Sequence, residues 1–160
     1  MIYLDYQATT PLAPEAHAAM LPSLAGPENP AGFANPHSPH RAGRAAAAVV
    51  EVAREQVAAL LPPGGRVIFT GSATEALNLA IIGSGARRVA VSAIEHAAVL
   101  DTAQARCDAA LLAVGCDGIV DPAVAIPRDT QLVAVMQVNN EIGTVQPVEA
   151  LAARARAAGA

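Results

Sequence analysis

Three short polar stretches of this chain hold residue types that could do chemistry together. In the first, an apolar, β-favouring run (Val67, Ile68, Phe69, Thr70) turns through Gly71 and Ser72 into a helical pattern beginning near Ala73. A strand feeding a small-residue turn into a helix start offers free backbone N–H groups and the positive end of a helix dipole, which together suit a phosphate. The Ser72 and Thr74 hydroxyls could add hydrogen bonds. The second stretch, Ala93–His96, supplies His96, an aromatic, titratable ring at a helix start. The third, Asn139–Gly143, supplies Asn140 and Glu141, a neutral and an acidic hydrogen-bonding group. A phosphate cup, a flat ring and a polar pair on one sheet edge would suit a phosphorylated aromatic cofactor. Each stretch alone also has a plain reading: a capped βα turn, a solvated histidine at a helix start, and an asparagine turn closing a strand.

The elements that must position these turns read as follows. Ile2 to Leu4 is short and extended, and Asp5 to Pro11 is a polar loop. Pro14 to Leu24 is a short helix opening on proline. Gly26 to Pro39 is an irregular loop holding four of the twelve prolines. A helix is expected from about His40 to Leu61, with Ala46, Val49, Val50, Ala53, Val57, Leu60 and Leu61 along one side, stopped by Pro62-Pro63-Gly64-Gly65. The helix entered near Ala73 is rich in Ala, Leu and Ile and predicts a mostly buried element. Strands are expected at Arg88–Ser92, Ala109–Val114 and Gln131–Val138. Helices are expected from Glu95 to Arg106 and Pro147 to Ala158, with a weak one at Pro122–Ile126. Strands alternating with helices imply an α/β domain on a mostly parallel sheet, whose ligands bind beyond the carboxyl ends of the strands. The boundary is expected at Pro62–Gly65, giving residues 1–62 as an N-terminal arm with a long helix and 63–160 as the α/β part.

Composition narrows the class. The 160 residues are 53% hydrophobic and 15% charged, so they can bury a core, and the net charge of −4 argues against nucleic acid or an anionic membrane as partner. No apolar run reaches membrane-spanning length and no signal-peptide pattern opens the chain. Cys107 and Cys116 give no disulfide framework, so a cytoplasmic location is the expectation. A metal site from His37 and His40 lacks further ligands at useful spacing. Gly83-Ser84-Gly85 lacks the third glycine of a dinucleotide fingerprint. All ten basic residues are arginine; there is no lysine.

Five ordered motifs resemble the cysteine desulfurases of the class-V aminotransferase branch of pyridoxal-phosphate enzymes. They are Tyr3 to Pro11, Asn35 to His40, Ala73 to Asn78, Glu95 to Leu100 and Val138 to Gly143, spread over residues 2 to about 158. The resemblance implies the large domain of the aspartate-aminotransferase-type fold. It implies that Ala73 and Thr74 hold the phosphate of pyridoxal 5'-phosphate and that His96 stacks on its ring as the catalytic histidine. By the same resemblance Asn140 bonds its phenolic oxygen and Asn35 helps position the substrate carboxylate. The implied reaction takes sulfur from L-cysteine to an enzyme persulfide, leaving L-alanine, for iron–sulfur cluster or thio-cofactor assembly. A homodimer and a sulfur-acceptor protein are the implied partners.

The chain departs from that pattern in two ways. It reads Gly71-Ser72-Ala73-Thr74 where the family usually reads Ser-Gly-Ala-Thr, which would strain Ser72 if the turn needs positive φ. It also lacks the Schiff-base lysine, the ring-nitrogen aspartate and the mobile-loop cysteine, all of which the family carries later. Cys107 and Cys116 match no sulfur-accepting position. The expectation is therefore an N-terminal fragment of such an enzyme, inactive alone, poorly stable, prone to association and completed by a second chain if at all. A selenocysteine lyase, another class-V fragment, or a non-catalytic binding or dimerisation remnant remain alternatives.

Overall fold

The computed structural model describes residues 2, 3, 6, 8–24 and 33–160. Leu4 to Gln7 of the first motif fall largely outside them, as do residues 26–32 of the Gly26–Pro39 loop. The chain forms two compact units, residues 1–69 and Thr70–Ala160.

The first unit contains helices α1 (Pro14–Leu24) and α2 (Arg41–Ala58). His40 caps α2 through Nδ1, which accepts the Gly43 N–H at 3.1 Å. Gly43 has no room for a side chain, since a Cβ there would lie 2.2 Å from the Ser38 carbonyl oxygen and 2.8 Å from that of Asn35. The amphipathic stripe expected along α2 is not buried: only Gly43 and Ala46 are, and Leu60 beyond its end is 83% exposed. Arg54 braces the segment that follows. It donates to the Val67 carbonyl, pairs with Glu51 at 3.3 Å and stands 5.2 Å from the Phe69 ring centre. Val67–Thr70 is not a strand, contrary to its β-favouring composition. A β-run is stabilised by a paired ladder; here Arg54 takes the Val67 carbonyl, and Ile68 and Phe69 are exposed.

The second unit is the expected parallel α/β arrangement. Its elements are α3 (Ala73–Gly83), β1 (Arg88–Ser92), α4 (Ala97–Arg106), β2 (Asp108–Leu112), β3 (Leu132–Ala134) and α5 (Val148–Ala158). The strands form a parallel sheet of order β2-β1-β3, with Val89 opposite Ala109 and Leu132. Alternation along β1 divides the core. Val89 and Val91 pack with Ile81 of α3 and with Val99 and Ala103 of α4, while Ala90 packs with Leu112, Val120 and Leu151 of α5. Helices therefore cover both faces, α3 and α4 on one and α5 on the other. Among the described residues no helix is long and apolar enough to cross a membrane.

Three expectations are corrected here. Of α3 only Ile81 is buried, and Leu79 and Ile82 are about half exposed (52% and 47%). Its composition looked buried because alanine and leucine fill both faces, but the helix touches the sheet along one stripe. Pro122–Ile126 is not a helix: the Asp121 carboxylate accepts the Ala123 N–H at 2.7 Å, an Asx turn, and Pro127 disfavours helical geometry at Ile126. Finally, β3 spans three residues rather than eight, because β1 turns away after Ser92 and leaves the chain beyond Ala134 without a ladder partner.

Candidate functional site

The second and third polar turns meet at one edge of the sheet, and the first opens a helix that packs on the same central strand. Gly83 at the end of α3 leads through four residues to the start of β1, and α4 begins four residues after β1 ends. Both helices thus run back against β1 and start at its carboxyl end. They touch side by side, and the Thr102 hydroxyl donates to Oδ1 of Asn78; each is the sixth residue of its helix, so the two N-termini lie level.

At the first turn Ser72 caps α3, its Oγ accepting the Glu75 N–H at 3.1 Å, while Oε2 of Glu75 accepts the Gly71 N–H at 2.6 Å. This is a variant of the capping box, with the carboxylate reaching one residue further back. The Ser72 backbone is extended at φ −164°, and Gly71 has no positive φ, so the Gly71-Ser72 order imposes no strain. The N–H groups of Ala73 and Thr74 and the Thr74 hydroxyl are exposed and have no hydrogen-bond partner among the described residues. They fit a phosphate: two amides and a hydroxyl at the positive end of a helix dipole. The neighbouring Glu75 charge is already engaged with Gly71.

At the second turn His96 caps α4, with Nδ1 accepting the Ala98 N–H at 3.0 Å. Because Nδ1 accepts, the neutral ring carries its proton on Nε2. The imidazole is exposed, in a hollow of about 260 Å³ that Asn140 also lines. Asn140 is exposed and its side-chain amide has no partner among the described residues. An open donor–acceptor group and a flat ring thus share one hollow.

Residues with no assigned chemistry hold that hollow together. Asn139 is buried: its Nδ2 donates to the Ile94 carbonyl at 3.0 Å, and its Oδ1 accepts the Glu141 and Ile142 N–H groups, both at 2.9 Å. Glu95, also buried, accepts the Met136 N–H through Oε1 at 2.5 Å. Burial pushes its carboxyl above the usual range; the Met136 amide and the nearby Ser92 hydroxyl pull the other way, although Ser92 Oγ has no partner in good hydrogen-bond geometry. Sequence alone gave no sign of the Asn139–Ile94 and Glu95–Met136 bonds, because each reaches more than forty residues along the chain.

Asn35, in the other unit, is exposed and its Oδ1 accepts the His37 N–H at 2.9 Å. Cys107 follows α4 at the amino end of the strands, on the order of 15 Å of helix from His96, and Cys116 is exposed in a turn. Among the described residues no three His, Cys, Asp or Glu side chains are grouped to hold a metal.

A family profile described as Aminotransferase class-V matches residues 2–160. The chain belongs to the class-V aminotransferase family. The cysteine desulfurase IscS of Stutzerimonas stutzeri is 42% identical over 173 aligned positions, covering 99% of this chain and 42% of the relative. The cysteine desulfurase of a Frankia species is 42% identical over 181 positions, with the same coverage. Among solved structures, a NifS-like protein superposes with a TM-score of 0.82 at 29% identity, covering 98% of this chain and 46% of that one. A protein titled SspA in complex with cysteine superposes at 0.79 with 32% identity, covering 97% and 47%. The chain thus has the fold of the NifS-like pyridoxal-phosphate enzymes and spans less than half the length of the relatives it matches.

Proposed function

We propose that this chain supplies the phosphate, ring and oxygen contacts of the pyridoxal 5'-phosphate site in a cysteine desulfurase. Ala73 and Thr74 bind the phosphate, His96 stacks on the pyridine ring and Asn140 bonds the phenolic oxygen. Asn35 steadies the carboxylate of L-cysteine. The observation that carries this reading is that His96 and the unpartnered Asn140 share one hollow, while the helix opened by the free amides of Ala73 and Thr74 packs against the helix that His96 begins. Its support from relatives is the 42% identity with cysteine desulfurases over nearly the whole chain.

When bound, the cofactor supplies an electron sink for reactions at the carbons of an amino-acid substrate. The residues of this chain bind and orient. The amide of Ala98 fixes the His96 tautomer, so that Nε2 holds the proton and the ring face is presented at a set angle. The hydroxyl of Thr74 and the start of α3 neutralise phosphate charge. Sulfur transfer to an enzyme persulfide, a homodimer, a sulfur-acceptor protein and a cytoplasmic setting belong to the same proposal. With no lysine, these 160 residues hold the cofactor by non-covalent contacts and do not complete the reaction alone.

The test is titration of the chain with pyridoxal 5'-phosphate, followed by cofactor absorbance and fluorescence. Saturable binding should weaken about tenfold in T74A, H96A and N140A separately, the loss of one charge-assisted or stacking contact. Absence of saturable binding, or three silent variants, would overturn the proposal.

A further inference from the structure

Glu95 does something that burial alone does not explain. The β1–β3 ladder stops at Val91 and Ala134, because after Ser92 the chain folds into a tight turn in which the Glu95 N–H donates to the Ser92 carbonyl at 3.2 Å. Two residues past Ala134 the Met136 N–H points to where the next ladder acceptor would stand. The Glu95 carboxylate fills that place at 2.5 Å. One residue earlier the Ile94 carbonyl takes the Asn139 amide, and one residue later His96 opens α4. Two consecutive residues are thus tied to the strand-and-loop segment that ends in Asn140, and the third presents the imidazole.

We infer that Glu95 is a positioning residue: its carboxylate oxygen replaces a missing strand contact and so fixes the His96 ring relative to Asn140. This rests on the reading of His96 and Asn140 as cofactor contacts. A buried carboxylate is a costly way to satisfy one amide. Its use here is accounted for by reach, because the side chain spans from the turn to the segment just past β3 while its own backbone continues to His96.

Two variants separate reach from charge. In E95Q the oxygen stays at the same distance and the charge goes; in E95D the charge stays and the oxygen falls one methylene short. Both are made in the full 160-residue chain, with far-UV circular dichroism to confirm that each is folded. The first readout is the ¹⁵N signals of the His96 ring and the Asn140 side-chain amide without ligand; the second is the affinity for pyridoxal 5'-phosphate. E95D should shift both sets of signals and weaken binding about tenfold, whereas E95Q stays within about twofold of the parent. If E95D leaves the signals in place, or if E95Q is as damaging as E95D, the inference falls. If E95D shifts the signals while H96A and N140A leave cofactor affinity unchanged, positioning stands and the cofactor reading fails.

Discussion

Asn78 of α3 ties the phosphate turn to the histidine helix. Its Nδ2 donates to the Thr74 carbonyl at 2.8 Å, and its Oδ1 accepts the Thr102 hydroxyl of α4. One amide therefore touches both the cup residue of one helix and the body of the helix that His96 begins. Asn78→Ala removes both bonds and leaves the half-buried Thr102 hydroxyl unpaired, at a cost of about 1–2 kcal/mol. Urea unfolding should show that loss as a lower midpoint at unchanged slope. N78A should also weaken phosphate-ester binding more than its stability loss explains, and equal affinity would show that the two helix starts stay level without it.

The buried Glu95 carboxyl predicts a particular pH dependence. Its pKa in the folded chain is raised, chiefly by burial, so the fold favours the protonated form. That contribution is fully present below the unfolded pKa and is lost as pH rises through the higher folded value. E95Q, which keeps the acceptor and has no charge to bury, should be at least as stable as the parent at neutral pH. As pH falls towards the ordinary carboxyl value of 4.5 the advantage should shrink. Thermal melts of both proteins from pH 4 to 8 test this. A constant gap would mean that folding does not shift the Glu95 carboxyl.

Much of this was legible in residue pattern and much was not, for separable reasons. β1, α4, β2 and α5 follow apolar runs bounded by Gly, Pro and Asp, and the structure has them within a few residues of expectation. The polar ends of these elements were readable because helix starts and strand ends set their chemistry locally: Ser72, His96 and Asn139 each bond to a backbone group two or three residues on. What could not be read was long-range. Val67–Thr70 has strand composition, but whether a run pairs depends on a neighbour far away in sequence. Glu95 and Asn139 looked like ordinary loop residues because their partners, Met136 and Ile94, lie across the sheet edge.

The open side of α3 predicts association. Leu79 and Ile82 lie about 60° apart around the helix and are 52% and 47% exposed. Exposed apolar clusters of this kind favour contact with other surfaces. Sedimentation velocity at rising concentration should show the parent chain self-associating, and L79E/I82E should shift it towards monomer while circular dichroism stays unchanged. A parent chain that sediments as monomer at all concentrations would show that the cluster is too small to drive contact.

The absence of lysine makes a chemical prediction that separates binding from attachment. Every basic side chain here is an arginine guanidinium or a histidine imidazole, and neither forms a stable imine with an aldehyde at neutral pH. Pyridoxal phosphate bound at Thr74 and His96 is then held by contacts alone and should leave on dialysis. After borohydride treatment of the saturated chain, peptide mass spectrometry should find no cofactor mass on any internal peptide; only the N-terminal α-amine can be trapped. Placing a lysine next to the hollow, as in I142K, supplies an amine within the same loop as Asn140. An adduct at residue 142 that forms in this variant, and is weakened by H96A, would locate the aldehyde beside the His96–Asn140 hollow. An adduct insensitive to H96A would put the bound cofactor elsewhere.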